Sequence, residues 1–302
     1  MIAASNDLRT LNAFTVDVED YYHVSAFEQR VSRSQWNQHE SRVVNSTQRI
    51  LDLLAQQQVH GTFYVLGWVA DKFPQLVQQI HAAGHEIGSH SYWHRLVYQL
   101  TPAEFREDLR RSLDALQQIT GEQVRLYRAP SFSITKDSLW ALEILAEEGI
   151  TCDSSIFPVH HDRYGIPNAR PDIHSISAGN HEICEFPPSI SRLGGMNVPC
   201  SGGGYFRLYP WFVSRALLAR INAKSSRPFM FYVHPWEVDH RQPRIRAGSF
   251  VANCRHYVNL HSTYRKLEYL LQHFRFGRVS DVLQAALQPT ALQPSEVPQV
   301  SA

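Results

Sequence analysis

Cysteine is scarce in this chain, with four in 302 residues. Cys152, Cys184, Cys200 and Cys254 form no Cys-x-x-Cys pair. That argues against a zinc ribbon or a dithiol redox motif, and a chain this long does not need a disulfide scaffold. All four are expected to be buried or semi-buried thiols. An excess of one charge is also missing. The 29 Lys and Arg nearly cancel the 28 Asp and Glu, which leaves no basic face for nucleic acid or an anionic membrane. No apolar run approaches the roughly 18–20 residues of a transmembrane helix. The opening "MIAASNDLRTLNAF" lacks the basic start and apolar stretch of a secretory leader. The expectation is a cytoplasmic protein with no nucleic-acid partner and no transmembrane segment; nothing in the sequence specifies its oligomeric state.

Alternation, by contrast, is plentiful. "LNAFTVDV" reads as a short buried strand ending in acids, and "SRVVNSTQRILDLLAQQQ" as a helix with Ile50, Leu53 and Leu54 on one face. "GTFYVLG" reads as a strand, "KFPQLVQQIHAAG" as a helix stopped by glycine, and "HEIGSH" as a short strand. Residues 101–121 carry a full set of helix signals. Thr101 caps, Pro102 sits in the first turn, Glu104 completes a capping box, and Gly121 lies just past the end of a Phe105, Leu109, Leu113, Leu116 stripe. "VRLYRAPSF", "TKDSLWALEILAEEG" and "ITCDSSIF" continue as strand, helix and strand. Such βα repetition predicts a parallel sheet covered by helices, doubly wound or closed into a barrel, with its chemistry at the C-terminal ends of the strands. Residues 158–208, rich in Pro, Gly and Asn, are expected to be a loop-rich insertion. Helix and strand resume with "WFVSRALLARINA" and "PFMFYVH". Residues 285–302, with repeated Pro and Gln and no periodicity, are expected to be a disordered tail after a single domain spanning 1–284.

Polar clusters follow the apolar runs. His90 and His94 are spaced i, i+4 at a strand's mouth, which lets two imidazoles meet one cation if the residues turn into a helix. A chance spacing among 16 histidines is the competing account. His85 is expected in the core or behind the ligands. A cation held by two imidazoles needs a third ligand, usually a carboxylate. "TVDVEDYY" offers Asp17, Glu19 and Asp20 beside apolar β sequence, where acids are costly unless paired or bound to a cation. A solvated turn accounts for Glu19 or Asp20 singly, but not easily for Asp17 inside the run.

The order of an Asp-rich first strand, "HSYWH", "RAPSF", an Asp-containing strand and "YVH" resembles the polysaccharide deacetylase family (NodB-homology domain) over roughly residues 12–240. "DVEDYYHV", "SGGGYFRLYP" and "HPWEVDHRQPR" are similar to a bacterial subfamily found with exopolysaccharide and protein-sorting loci. The resemblance implies a distorted (β/α) barrel with fewer than eight strands. It also implies a divalent metal, most often Zn2+, held by one carboxylate and two histidines, and removal of N-acetyl groups from amino sugars. By position, Asp17 matches the general base, His90 and His94 the metal ligands, Arg128 the residue orienting the base, and His234 the general acid. Many members have two adjacent aspartates where this chain reads Asp17, Val18, Glu19, Asp20, so the metal carboxylate is Glu19 or Asp20. Glu19 shares a strand face with Asp17, whereas Asp20 requires a turn. Ser131 stands where tyrosine is common, leaving Phe132 as a source of the groove's aromatic wall.

Trp93, Trp236 and Tyr205 are candidates for stacking on sugar rings, against the plainer reading of core or rim packing. Asp153 could support Arg128 or Asp17, or simply open a turn, and either Asp153 or Glu237 is expected to keep His234 charged. "SGGG" at 201–204 is no phosphate loop, lacking a following Gly-Lys-Ser/Thr; it suits a sharp turn or a close backbone approach. The function expected is a metal-dependent N-deacetylase of an N-acetylated glycan or its lipid-linked precursor. The rivals are a carbohydrate-binding barrel without turnover and a deacylase of a small metabolite.

Overall fold

The strand that carries the acids is the hub of the fold. β1 (Leu11–Val18) is buried from Asn12 onward and pairs in parallel with three other strands, as a near-continuous apolar run in a covered parallel sheet does. The computed structural model describes residues 10–161, 163–225, 227–246 and 250–287. After β1 come α1 (Val43–Gln56), β2 (Thr62–Val65), α2 (Gly67–Lys72), α3 (Pro74–Ala82), β3 (Glu86–Ser89), α4 (Pro102–Thr120), β4 (Leu126–Tyr127), α5 (Trp140–Glu147) and β5 (Cys152–Asp153). Then follow β6 (His174–Ala178), β7 (His181–Glu185), β8 (Ile190–Leu193), β9 (Met196–Pro199), α6 (Gly203–Leu208) and α7 (Trp211–Ser225). The chain continues with β10 (Met230–Val233), α8 (Phe250–Tyr257), α9 (Leu260–His273), β11 (Arg275–Gly277) and α10 (Val279–Leu287).

Among the described residues the main sheet runs β10-β1-β2-β3-β4-β5-β7-β6, with β11 on the lower end of β1. Every pairing in it is parallel except β6–β7. Alternation along β1 divides the interior. Phe14, Val16 and Val18 join the large core beneath the helices. Ala13 meets Tyr64, Leu126, Cys152 and Met230 inside the curved sheet, where Val279 and Val282 of α10 close one end. The fold is α/β with a mostly parallel, barrel-like sheet, as expected, but among the described residues that sheet has nine strands where fewer than eight were expected, because the β6–β7 hairpin and β11 extend it.

Several expectations need correction. The 158–208 insertion is loop-rich as expected, but it also carries four short strands not expected from the sequence. β6 and β7 form a hairpin whose β7 strand joins β5, and β8–β9 is a second, separate hairpin. The helix read through "KFPQLVQQIHAAG" is broken at Phe73, because the residue before Pro74 is driven out of helical geometry. Helix α10 runs through the boundary placed at 285; the rest of the expected tail, like the first nine residues, lies outside the described residues. Of the four thiols, Cys254 is exposed. No helix among the described residues is long and apolar enough to cross a membrane.

Candidate active site

Asp17, the last inward residue of β1, is 2% exposed. Its carboxylate accepts from Arg128 Nη1 at 2.6 Å, and the same nitrogen donates to Thr15 Oγ1 at 2.8 Å. Arg128, just past β4, is fully buried; its Nη2 donates to Ser154 Oγ at 3.1 Å, and its guanidinium lies 4.2 Å over the Tyr64 ring. Gly88 makes room for that ring, since a Cβ there would stand 2.6 Å from Tyr64 Cδ1. A buried pair held from this many sides is rigid, and removing one partner of such a pair typically costs about 3–5 kcal/mol.

Beside it, ligand atoms of Glu19, His90 and His94 lie within 4.8 Å of one another, and all three residues are buried. His90 and Glu19 are fixed from behind. His90 follows β3 and shares its Nδ1 proton with the Arg128 carbonyl at 2.8 Å, which leaves Nε2 for a cation. Glu19 Oε1 accepts from Trp236 Nε1 at 3.1 Å, while Oε2 sits 2.6 Å from His94 Nε2. His94 is not on a helix. It reaches the cluster through a tight loop in which Ser91 (φ 63°) and His94 (φ 51°) are both left-handed, a strain that native chains keep mainly at functional sites. Asp108 of α4 anchors the loop by accepting the backbone N–H of Tyr92 and Trp93. Burial pushes His90 down to about 4, so its ring is neutral. Burial opposes ionisation of Glu19, but His94, then His234 and His90, hold its carboxyl well below the usual range. A buried anion facing two imidazole nitrogens is a donor set that fits a divalent cation.

His234, at the end of β10, completes the cluster. Its Nε2 is 3.8 Å from Asp17 Oδ2 and 3.8 Å from Glu19 Oε1. Its Nδ1 is bonded at 2.7 Å to Glu237, whose other oxygen accepts from Arg207 Nε at 2.6 Å. Burial works against a charge on His234, but Glu237 first, then Glu19 and Asp17, raises it to about 9. Glu237 in turn is held near 2, against burial, by Arg207 and His234.

The remaining candidates are sorted by their partners. Asp20 is not in the cluster: it accepts from Ser41 Oγ (2.6 Å) and from the N–H groups of Tyr21, Arg42 and Val43. It serves the start of α1, where an anion is favoured; burial raises it to about 6. Trp236 does not offer a face to a sugar. It is 5% exposed, stacked between His234 (5.1 Å) and His256 (4.3 Å). Phe132 is buried edge-on against Phe157 and Tyr232, and Tyr205, half-buried in α6, makes none of the hydrogen bonds that tie the cluster together. Asp153 supports neither Arg128 nor His234; it bonds Ser155, and its register partner is Glu185. Ser154 takes the place by Arg128 that Asp153 was expected to fill. "SGGG" does bring backbone close: Gly202 (φ 150°) bridges β10, and a Cβ there would fall 2.1 Å from the Tyr232 carbonyl.

The fold and the cluster together give a mostly parallel, barrel-like α/β sheet with acids, imidazoles and a buried arginine gathered at its strand ends. Residues 36–150 match the polysaccharide deacetylase family, and residues 154–284 match a domain of unknown function (DUF3473). The chain therefore contains a stretch that matches the NodB-type polysaccharide deacetylase family, followed by a stretch that matches DUF3473. It is 36% identical over 98 residues to the peptidoglycan-N-acetylglucosamine deacetylase of Bacillus cereus, covering 32% of this chain and 36% of that protein. It is 34% identical over 84 residues to the peptidoglycan-N-acetylmuramic acid deacetylase PdaA of Bacillus subtilis, covering 28% and 32%. The chain thus spans about a third of the length of these curated relatives. Two solved structures share the fold. One is a "putative polysaccharide deacetylase" of Mycobacterium smegmatis (TM-score 0.58, 19% identity, 98% of both chains); the other is PuuE allantoinase (TM-score 0.59, 16% identity, 94% and 93%). Asp17 and Glu19 precede both matched regions, while His234 and Glu237 fall in the second, so the cluster joins residues from three stretches of the chain.

Proposed function

We propose that this protein is a metal-dependent hydrolase that removes N-acetyl groups from amino sugars of a polysaccharide or its precursor, in exopolysaccharide biosynthesis. The observation that carries the reading is the convergence of the Glu19, His90 and His94 donor set with the Asp17–Arg128 pair and the His234–Glu237–Arg207 chain. Residues 1–284 act as one catalytic unit, a reading supported by strands of both matched regions sharing one sheet. Two imidazoles and one carboxylate suit Zn2+ and leave positions open for water and substrate. A cation bound there supplies polarisation of the acetyl carbonyl and acidification of a water. Asp17, paired with and aligned by Arg128, takes the proton of the attacking water as its oxygen bonds to the acetyl carbon. His234, kept protonated by Glu237, gives its proton to the nitrogen as the C–N bond breaks, so that a neutral amine leaves. Glu237 and Arg207 hold that ring without touching substrate. Metal analysis of the purified protein, with an acetate-release screen over N-acetylated glycans and small amides, tests the reading. Protein without bound metal, or metal-loaded protein releasing no acetate from any glycan, would refute it.

A further inference from the structure

The four cysteines are far apart in the sequence, yet the sheet brings two of them together. Cys152 on β5 and Cys184 on β7 are register partners in a parallel pairing. Neighbouring strands lie about 4.8 Å apart, within the roughly 4.4–6.8 Å between Cα atoms that a disulfide spans. Register partners point to the same face of a sheet. Here both side chains are on the inward face, Cys152 in the cluster around Tyr64 and Leu126 and Cys184 packed against it. The place is also a weak seam. Among the described residues the β5–β7 ladder alone joins the β6–β7 hairpin to the parallel strands, and its register holds just Cys152–Cys184 and Asp153–Glu185. Neither thiol takes part in the proposed reaction.

The two thiols differ in the way that oxidation needs. Cys152 is 1% exposed, while Cys184 is half-buried. A hydrogen bond between the thiols pushes Cys152 well above its usual value, and burial adds to this. The same bond draws Cys184 down, against burial. Cys152 Sγ also approaches the Asp153 carbonyl at 3.6 Å. The thiolate is the reactive form, so Cys184 is the thiol that meets an oxidant and Cys152 the one that waits behind it. A reachable thiol drawn toward its thiolate, with a second thiol beside it, is the arrangement that peroxides oxidise selectively. The other two cysteines do not share it. Cys200 is fully buried and pushed up to about 12 by burial, and Cys254 is exposed on α8, on no strand.

We infer that Cys152 and Cys184 form an oxidisable dithiol, which hydrogen peroxide closes into a reversible disulfide that clips the β6–β7 hairpin to β5. The Cys184 thiolate attacks one peroxide oxygen; the O–O bond breaks, and the departing hydroxide takes up the proton that Cys184 lost, leaving as water. Cys184 is then a sulfenic acid. The Cys152 sulfur attacks the Cys184 sulfur; the S–S bond forms, the S–O bond breaks, and the hydroxyl leaves as a second water with the Cys152 proton. Two thiols and one peroxide thus become one disulfide and two waters. A thiol reductant reverses the change by exchange.

The test applies equimolar hydrogen peroxide to folded Cys254→Ser, which lacks the exposed competitor. Its free thiols should fall from three to one with the loss of two hydrogens in the mass, and dithiothreitol should restore both. Peptide mapping of the peroxide-treated wild-type chain should show Cys152 linked to Cys184, and serves if the variant does not fold. Cys152→Ser should instead carry Cys184 on to sulfinic acid, and Cys184→Ser should leave Cys152 unmodified. The oxidised protein should melt on the order of 5 °C above the reduced one, because the link closes a long loop in the unfolded chain. Oxidation that stops at a Cys184 sulfinic acid with Cys152 still free overturns the pair, as does a disulfide that forms only in urea. A disulfide that leaves Tm unchanged or lower overturns the clip.

Discussion

Glu237→Gln separates charge from shape at the acid side of the site. Glu237 is 1% exposed, and its carboxylate accepts from the His234 ring at 2.7 Å, the His234 backbone N–H at 3.1 Å and Arg207 Nε at 2.6 Å. Glutamine keeps the outline and one acceptor oxygen but loses the charge. His234 ordinarily titrates at 6.5 and here at about 9, although burial opposes its charge. That rise from 6.5 to about 9 corresponds to about 3.5 kcal/mol, at ~1.4 kcal/mol for each tenfold change. Because the folded value lies above the unfolded one, this stability is fully present below pH 6.5 and is lost as pH climbs through about 9. Without the nearest charge, burial prevails, and the variant's His234 should titrate about 2 units lower. Arg207 would also be left as a buried cation without its carboxylate, at a cost of about 3–5 kcal/mol, or a drop in Tm on the order of 10 °C. The assay is an NMR titration of the His234 ring in metal-free protein, because a bound cation would itself repel the imidazolium, paired with thermal melts at pH 6 and 9. An unchanged His234 midpoint, with the same pH 6 to pH 9 difference in Tm for both proteins, would refute the assignment of Glu237 as the group that holds the proton.

Three further outcomes follow from the same contacts. Asp17→Asn should keep metal content, lower Tm because Arg128 loses its charged partner, and cut acetate release by about 10²–10⁴; full activity would make Asp17 structural. Trp236→Phe keeps the stack on His234 but deletes the indole donor to Glu19, so chelator competition should show metal affinity weaker by about 10–100-fold, and an unchanged Kd would show that the indole does not orient the carboxylate. Asp153 and Glu185 are fully buried register partners; burial raises Asp153 to about 6 and pushes Glu185 well above its usual range. Raised carboxyl values mean stability that is present at low pH and lost as pH rises through them. Glu185→Gln supplies a permanent N–H donor in place of the shared proton, so its Tm relative to wild type should improve from pH 5 to pH 8, and a pH-independent difference would exclude proton sharing.

A helix whose ends are set by its own residues is legible in the sequence. Helix α4 begins with the Thr101–Glu104 capping box and ends at left-handed Gly121, as its residues dictate. The hairpins of 158–208 were equally local but missed. Gly179-Asn180 and Gly194-Gly195 are two-residue turns between short alternating runs, with Gly179, Gly194 and Gly195 at positive φ, and that is a hairpin signature obscured by the abundance of Pro and Gly around it. Partners brought together only by the completed sheet left no such trace. Arg207 in "SGGGYFRLYP" looks like any arginine on a short helix. Its role arises because Glu237 lies 30 residues away and the carbonyls of Arg255, His256 and Val258 close over it.

The acids at the end of β1 show how a period of two distributes roles. Thr15 and Asp17 face inward and meet Arg128, while Val16 and Val18 pack beneath the helices. Glu19 continues that alternation past the end of the strand, arriving beside His94 on the same side as Asp17. Asp20, one step further and out of phase, meets the backbone N–H groups that open α1. A pair of adjacent acids would need the chain to turn between them for both to reach one mouth. With Val18 between them, Asp17 at the strand's end and Glu19 just past it reach one mouth, where they are the proposed base and metal carboxylate. The cost is a longer side chain at the second position, and the indole of Trp236 is what restrains it.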